Sequence, residues 1–187
     1  IGSAGTYKVT VPYNGTCTYE ETKNLNIGNP PDLSIVSTNN GIYCSGGSPL
    51  TLSYLSTQSL TNHSWTLPNG TGSSNSSLTN ITDAGRYYLQ GENLEGCVDT
   101  TSFIIQSIVP PVIGISRSQP SICPSQAVNA DTSYLSGIII SGTVSTWEWN
   151  YNGVIVSNNQ SANATSGGVY TLTANDNFGC ETNSSTS

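Results

Sequence analysis

The chain has 187 residues, a formal net charge of −7 and only four lysine and arginine residues. Phosphate recognition depends on clustered cations, so this composition argues against nucleic acid and against an anionic membrane surface as partners. Serine, threonine, asparagine and glycine dominate over the strong helix formers, which favours an all-β fold. No apolar run approaches the roughly 18 residues of a membrane span.

The first 27 residues contain a tyrosine-bearing strand near Tyr7 and a second strand after Cys17. The same pattern of a small residue, a tyrosine, an apolar residue two positions later and a closing cysteine returns at residues 83–97 and 167–180. Recurrence at about 80 residues is typical of a tandem array. Two strands cannot bury a core alone, so residues 1–27 are interpreted as the C-terminal hairpin of a preceding repeat.

Two proline pairs divide the rest of the chain. Pro30-Pro31 and Pro110-Pro111 stand 80 residues apart. Because proline fixes φ and stiffens a connection, these pairs predict short, semi-rigid joints. They delimit one repeat over residues 28–108 and another over residues 109–187.

Each of these repeats shows about seven short strands with period-two alternation and turn signals between them. In chain order the clearest segments are residues 33–35, 42–44, 50–55, 63–67, 77–81, the tyrosine-bearing stretch 83–97 and 103–108 in the first repeat, and residues 112–115, 122–123, 133–136, 146–149 and the tyrosine-bearing stretch 167–180 in the second. A tryptophan on the third main strand and a tyrosine corner near the sixth are the pattern of an immunoglobulin-like β-sandwich. The expected core residues are Trp65, Trp149, Tyr87, Tyr170, Leu89 and Leu172.

The second repeat carries about four extra residues before its tryptophan strand, in a predicted enlarged loop at residues 137–142. Ile138, Ile139 and Ile140 lie there and are either an exposed apolar patch of interaction type or a tucked-in strand edge. Tyr88 follows the corner tyrosine, so alternation turns it outward, where it could stack on a sugar.

The chain has five cysteines, no CxxC motif and a single histidine, so disulfides in an oxidising, extracellular compartment are expected rather than zinc. The first expectation is one bond within each repeat, Cys44–Cys97 and Cys123–Cys180, with the partner of Cys17 lying upstream. In a simple sandwich the two positions of each pair lie at opposite poles. A bond between repeats, Cys44–Cys180, is therefore kept as the alternative.

Signals for catalysis are weak. No GxSxG, HExxH or P-loop pattern is present, and His63 beside the Trp65 strand is interpreted as a solvated loop histidine. No cofactor is expected. Calcium is a weaker possibility, because hard oxygen ligands occur in the hairpins before two of the cysteines. The candidate ligands are Glu92, Asn93, Glu95 and Asp176.

Taken together, Ile-x-Cys or Ile-Cys before a strand, a tryptophan strand, and Gly-x-Tyr-x-apolar running to Gly-Cys resemble one family. The chain is similar to the bacterial Ig-like and PKD-like repeats of very large secreted surface proteins of the Bacteroidetes, including SprB-type gliding adhesins and proteins exported by the type IX secretion system. The resemblance covers residues 31–187 and the fragment before them. Ile42-Tyr43-Cys44 departs from the commoner Ile-Cys, and Cys17 follows Thr16 rather than glycine.

This resemblance implies a non-enzymatic stalk or adhesin segment at the cell surface. Its partners would be neighbouring repeats of the same chain, and a surface glycan or another surface protein. A carbohydrate-binding accessory module of a secreted protein is the alternative. It would show a groove with two or more coplanar exposed aromatic rings.

Overall fold

A computed structural model describes residues 3–13, 15, 17–121 and 132–187, and these residues form an almost entirely β structure. The predicted segment 122–123, with Cys123, lies outside the described residues. The strands are β1 (Gly5–Tyr13), β2 (Cys17–Leu25), β3 (Leu33–Ser37), β4 (Ile42–Cys44), β5 (Leu50–Ser56), β6 (Leu60–Thr66), β7 (Gly72–Ser73), β8 (Leu78–Ile81), β9 (Gly85–Asn93), β10 (Val98–Ile108), β11 (Val112–Arg117), β12 (Ser133–Ser141), β13 (Thr146–Tyr151), β14 (Val154–Ser157), β15 (Ser161–Ala164), β16 (Tyr170–Asn175) and β17 (Glu181–Thr186).

The chain divides into two compact units. One consists of Ile1–Val36, Ser53–Leu78 and Arg86–Phe103, and the other of Ser37–Leu52, Thr79–Gly85 and Ile104–Ser187. The repeat boundaries at residues 28 and 109 were derived from the sequence period, and they stay a prediction.

Each sequence repeat supplies two sheets of the same design. In the first repeat the strand orders are β4-β10-β9-β6-β7 and β3-β5-β8, and in the second they are β14-β13-β16-β17 and β11-β12-β15. Both tryptophan strands pair antiparallel with the tyrosine strand of their own repeat, so that Trp65 lies opposite Leu89 and Trp149 opposite Leu172. The fold is therefore an all-β immunoglobulin-like sandwich, as the sequence predicts.

The core of the second repeat joins its two sheets. Trp149 and Leu172 from one sheet are fully buried, and they share a cluster with Ile113 and Leu135 from the other. Fully burying an aliphatic side chain of this size contributes about 1.5–3 kcal/mol. The Trp149 indole N–H donates to the Gln160 carbonyl oxygen at 3.4 Å, so the ring is buried without an orphaned donor.

The first unit buries the matching residues. Trp65 and Leu89 have no exposed surface, and Tyr87 is 1% exposed. The Trp65 indole N–H donates to the Asn75 carbonyl oxygen at 3.0 Å. The same set of residue types thus forms the centre of both sandwiches.

The tyrosine strands also carry tyrosine corners. The Tyr170 hydroxyl donates to the Ser166 carbonyl oxygen at 3.3 Å, and the Tyr7 hydroxyl donates to the Ser3 carbonyl oxygen at 2.8 Å. In both cases the acceptor lies four residues earlier in the chain. This contact fixes the chain as it enters the strand.

The proline joints are packed rather than open. Pro31 and Pro111 are among the fully buried residues. The Asn29 carbonyl oxygen, just before the first pair, accepts from the Asn93 side chain at 2.8 Å and from the Gln58 side chain at 3.4 Å. The first joint is therefore bonded to the repeat that it enters.

The hairpin of β1 and β2 is exposed along its whole length. Tyr7 and Val9 are 37% and 62% exposed, whereas Tyr87 and Leu89, 80 residues later, are 1% and 0% exposed. Residues that form the core in β9 thus lie at the surface in β1.

The isoleucine run is not in a loop. Ile138, Ile139 and Ile140 lie within β12, which pairs antiparallel with β11, and they are 47%, 44% and 67% exposed. The extra residues of the second repeat extend this strand, because β-branched side chains favour extended backbone. The prediction of an enlarged loop was wrong, and the side chains are nevertheless at the surface.

A glycine in β12 offers a test of the second core. A side-chain carbon at Gly137 would lie 2.9 Å from Leu172 Cδ2 and closer still to the ring of Trp147, whereas one at Gly167 would meet nothing within 4 Å. We expect Gly137→Ala to lower the free energy of unfolding by about 1–3 kcal/mol, since overpacking forces neighbours off their rotamers. Gly167→Ala is the matched control and should change it little. Urea unfolding followed by tryptophan fluorescence measures both, and equal stabilities would contradict this account of the core.

Candidate functional site

The structure holds one disulfide in its described residues, and it joins the two sequence repeats. Cys44 is bonded to Cys180, with 5.5 Å between their Cα atoms and 136 residues of separation. The bond lies within the second compact unit. The prediction of the pairs Cys44–Cys97 and Cys123–Cys180 was therefore wrong. The structure has the alternative pair, Cys44–Cys180.

The length of β10 explains why the within-repeat bond does not form. Cys44 lies beside Ile108, the last residue of β10, in a parallel pairing of β4 with this strand. Cys97 directly precedes Val98, the first residue of the same 11-residue strand. At about 3.4 Å per residue the two positions are more than 30 Å apart, whereas a disulfide needs Cα atoms within about 7 Å.

A left-handed turn delivers Cys44 to this place. Asn39, Asn40 and Gly41 have φ values of 50°, 49° and 78°, a region that asparagine and glycine tolerate best. The Asn39 side-chain amide donates to the Ile42 carbonyl oxygen at 2.8 Å. The turn ends β3 and starts β4, so the chain changes from one sheet to the other just before the cysteine.

Cys180 is held by a hairpin with a buried carboxylate at its base. Asp176 is 7% exposed, and its Oδ1 accepts from the backbone N–H groups of Phe178 at 2.8 Å and Cys180 at 2.9 Å. The backbone N–H of Asp176 donates to the Cys180 carbonyl oxygen at 3.2 Å. Gly179 closes the turn with φ of 82°.

The hairpin before Cys97 repeats this geometry with asparagine in place of aspartate. Asn93 is 3% exposed, and its Oδ1 accepts from the backbone N–H groups of Glu95 at 3.0 Å and Cys97 at 2.9 Å. The Asn93 N–H donates to the Cys97 carbonyl oxygen at 3.0 Å, and Gly96 has φ of 78°. Both cysteines are thus presented by the same turn.

Cys97 is a free, half-buried thiol, and Cys17 is free and exposed. Cys97 faces the first joint, because a carbon placed on Gly28 would lie 2.8 Å from its Sγ. The neighbouring Asn29 is bonded to Asn93, at the base of the hairpin that carries Cys97. The thiol, the joint and the turn form one local structure in the first unit.

The suggested calcium ligands have other roles or lie apart. The inward oxygens of Asn93 and Asp176 cap their turns, and the Asn93 amide is also bonded to Gln58 at 2.6 Å. Glu92 is half-buried and Glu95 is exposed. Residues 3–13, 15, 17–121 and 132–187 contain no group of three or more histidine, cysteine, aspartate or glutamate side chains placed to hold a metal ion.

The aromatic candidates are separate from one another. Tyr88 is 45% exposed and points away from the core. Tyr151 stacks on the buried Tyr170 with ring centroids 4.6 Å apart. Among the described residues no ring pair unites two exposed rings; the other pairs join the half-buried Tyr54 to His63 and to Trp65.

His63 lies in β6 and is half-buried, so its interpretation as a solvated loop residue was wrong. Its Nε2 is 3.1 Å from the Asn75 carbonyl oxygen, which also accepts from Trp65. The Asn75 carbonyl oxygen therefore lies within hydrogen-bond distance of both rings. No acidic side chain is bonded to His63 among the described contacts.

The second unit has a cleft of about 490 Å³, lined by Trp147, Glu148 and Glu181 among others, and a smaller one of about 260 Å³, lined by Leu135, Tyr170 and Arg117 among others. Arg117 is the only charged side chain in the lining of the smaller cleft and donates to the Ser187 carbonyl oxygen. The smaller cleft lacks a second titratable group that could act with Tyr170.

Comparison of the sequence with protein families and with curated proteins gives no match. Among solved structures the chain is similar to the fibronectin(III)-like modules of Clostridium thermocellum CbhA, at 12% identity over 82% of this chain and 91% of that one, with a TM-score of 0.48. An amphioxus IgVJ-C2 molecule matches at 17% identity over 97% and 94%, with a TM-score of 0.33. The mouse nectin-like molecule 4 ectodomain matches at 15% identity over 84% and 63%, with a TM-score of 0.35.

One sequence signal for these turns is an aspartate or asparagine four residues before the cysteine of a Gly-Cys pair. The side-chain oxygen atoms of Asn93 and Asp176 alone suggest metal ligands. Their fixed spacing to Cys97 and Cys180 indicates a side-chain-capped turn instead. No helix in the described parts of the chain is long and apolar enough to cross a membrane.

The turn at Asp176 provides a test with a control from the chain itself. Asp176→Ala removes the acceptor of two backbone N–H groups, and we expect a loss of about 1–3 kcal/mol in the free energy of unfolding. Asp176→Asn should be nearly neutral, because asparagine performs this role at position 93. Chemical denaturation measures the two variants. A large loss in Asp176→Asn would show that the charge, rather than the turn, matters.

The disulfide should stabilise the second unit. In the chain-entropy model a closed loop of 136 residues is worth about 5 kcal/mol. We therefore expect reductant to lower the melting temperature of the parent chain sharply. A Cys44→Ser and Cys180→Ser double variant should melt low with or without reductant, while Cys97→Ser should match the parent. An unchanged transition in the reduced parent would contradict a structural role for the bond.

Proposed function

We propose that this chain is a non-enzymatic stalk segment of a bacterial cell-surface adhesin or filament, acting in attachment or gliding. The repeats act as mechanical spacers, and their partners are the neighbouring repeats of the same chain. The observation that carries the proposal is the Cys44–Cys180 bond, which ties one repeat covalently to the next across the Pro110-Pro111 joint. A domain that only has to bind or catalyse does not require such a bond.

The bond indicates an oxidising, non-cytosolic location, because cytosolic thiols are kept reduced. The sequence is rich in serine, threonine, asparagine and glycine, which suits a wet exterior. Placement on a bacterial surface and export by the type IX system rest on the sequence resemblance. We propose them on that ground.

The exposed hairpin supports continuation of the array. Tyr7 and Val9 occupy the positions of the core residues Tyr87 and Leu89, and the Tyr7 corner is formed although its ring is 37% exposed. We propose that residues 1–27 complete a preceding repeat whose other strands cover this face. The boundaries at residues 28 and 109 would then be true repeat boundaries.

Pulling on the chain ends by single-molecule force spectroscopy tests the mechanical role. The bond shortcuts the 136 residues between Cys44 and Cys180, so the oxidised chain should reach a final extension about 450–490 Å shorter than the reduced chain. Adding reductant to the oxidised chain should increase its final extension by this difference. The Cys44→Ser and Cys180→Ser variant should show the full length from the start.

An oxidised parent that extends as far as the double variant would show that the bond does not bear load, and the stalk proposal would then fail. A parent whose folded repeats extend without any force peak would have the same consequence, since a spacer under tension must resist unfolding.

A further inference from the structure

We infer that Cys97 is one half of a second inter-repeat disulfide, whose other half is the cysteine of a β4-like strand in a preceding repeat. The partner strand would therefore carry an Ile-x-Cys motif like Ile42-Tyr43-Cys44. This inference rests on the proposed tandem array and adds the chemistry of its joints. In such an array each joint carries an inter-repeat disulfide equivalent to Cys44–Cys180.

The first support is that Cys97 and Cys180 are presented identically. Each cysteine follows a glycine of positive φ, and its backbone N–H donates at 2.9 Å to the side chain of a buried residue four positions earlier. One of these two equivalent cysteines is bonded in this structure to the strand of the repeat before it. The other is a free thiol with the same backbone geometry.

The second support is independent and comes from the register at the joint. Cys44 reaches Cys180 while lying beside Ile108 in the parallel pairing of β4 with β10. The counterpart of Ile108 one period earlier is Gly28, and a carbon on Gly28 would lie 2.8 Å from Cys97 Sγ. A strand laid along residues 26–28 in the register of β4 would bring its cysteine beside Gly28. That cysteine would then lie next to the Cys97 thiol and the Glu95 side chain, whose Oε2 lies closer still to the same carbon position.

The third support is that the site is held in place. The Asn93 side chain bonds at once to the joint through the Asn29 carbonyl oxygen and to the hairpin through the Cys97 N–H. The joint at Asn29 and the Cys97 thiol are therefore held in a fixed relative position before a partner strand binds. This preorganisation lowers the entropy lost on bond formation.

The reaction is ordinary thiol–disulfide exchange with a small-molecule disulfide such as oxidised glutathione. The Cys97 thiolate attacks the oxidant, forming a mixed disulfide and releasing one thiol. The incoming cysteine thiolate then attacks the Cys97 sulfur, forming the protein bond and releasing the second thiol. Two protein thiols are oxidised, and one disulfide of the oxidant is reduced.

The test supplies the missing partner within a whole chain. Residues 28–107 are duplicated directly after Ser107, which preserves the 80-residue register. In the first copy Tyr43→Phe marks the peptide that carries Cys44, and Cys97→Ser leaves a single Cys97, in the second copy. The protein is folded in a glutathione redox buffer, alkylated with iodoacetamide, digested without reduction and analysed by mass spectrometry.

We expect two bonds. Cys44 of the second copy should pair with Cys180, which also reports that the chain has folded. The marked Cys44 of the first copy should pair with Cys97. If the Cys44–Cys180 bond does not form, a second variant that duplicates residues 27–106 after Gln106 replaces the first.

An alkylated Cys97, or a Cys97 bonded to any cysteine other than the marked Cys44, overturns the inference. The matched control adds Cys44→Ser in the first copy, and Cys97 should then become fully alkylated. Protection of Cys97 in this control overturns the inference as well.

The result separates this inference from the proposed function. Failure of the Cys97 bond, with the Cys44–Cys180 bond formed and the mechanical shortcut present, refutes the inference and leaves the stalk intact. Loss of the shortcut in the parent chain refutes the stalk, whatever the state of Cys97.

Discussion

The parallel pairing of β4 with the end of β10 is the contact on which the rest of the arrangement depends. It takes only three residue pairs, with Ile42 beside Gln106 and Cys44 beside Ile108. It fixes Cys44 beside Ile108, the last residue of β10. Without this short strand the cysteine would have no fixed position from which to bond Cys180.

Hydrogen bonds to a buried asparagine and a buried aspartate order two turns of the described structure. The ion pairs that the described residues show, Lys8–Glu20 and Lys23–Glu21, lie on the exposed hairpin, where such pairs contribute about 1 kcal/mol or less. Asn93 and Asp176 instead satisfy several backbone groups each from inside the fold. A chain with so few cations can thus order its loops without relying on screened surface charges.

The sequence predicted the strands and the core well because these depend on local alternation. Trp65, Trp149, Leu89 and Leu172 alternate with polar residues, and alternation alone decides which face they occupy. The cysteine pairing depends on which strands are neighbours and on where a strand ends, and neither is a local property. The preferred pairing failed because it treated Cys44 and Cys97 as near in space when they flank the same long strand.

The predictions of a loop at the isoleucine run and of a loop position for His63 were wrong for a related reason. The extra residues suggest a loop, but β12 continues to Ser141, and β6 begins at Leu60, three residues before the predicted strand, so that His63 lies inside the strand and not at its edge. In the candidate site, the oxygen atoms of Asn93 and Asp176 suggest metal ligands, whereas their spacing to cysteine indicates a capped turn. Comparison of the two hairpins corrects this interpretation, because the same four-residue spacing to cysteine occurs with asparagine in one hairpin and aspartate in the other.

The bond between Cys44 and Cys180 turns most of the chain into a covalent ring. A single cut by a protease anywhere in the ring opens it without separating the two ends of the molecule. Two cuts are needed to lose a piece. A surface filament built this way would keep its far end attached after a first scission, for as long as its surroundings stay oxidising.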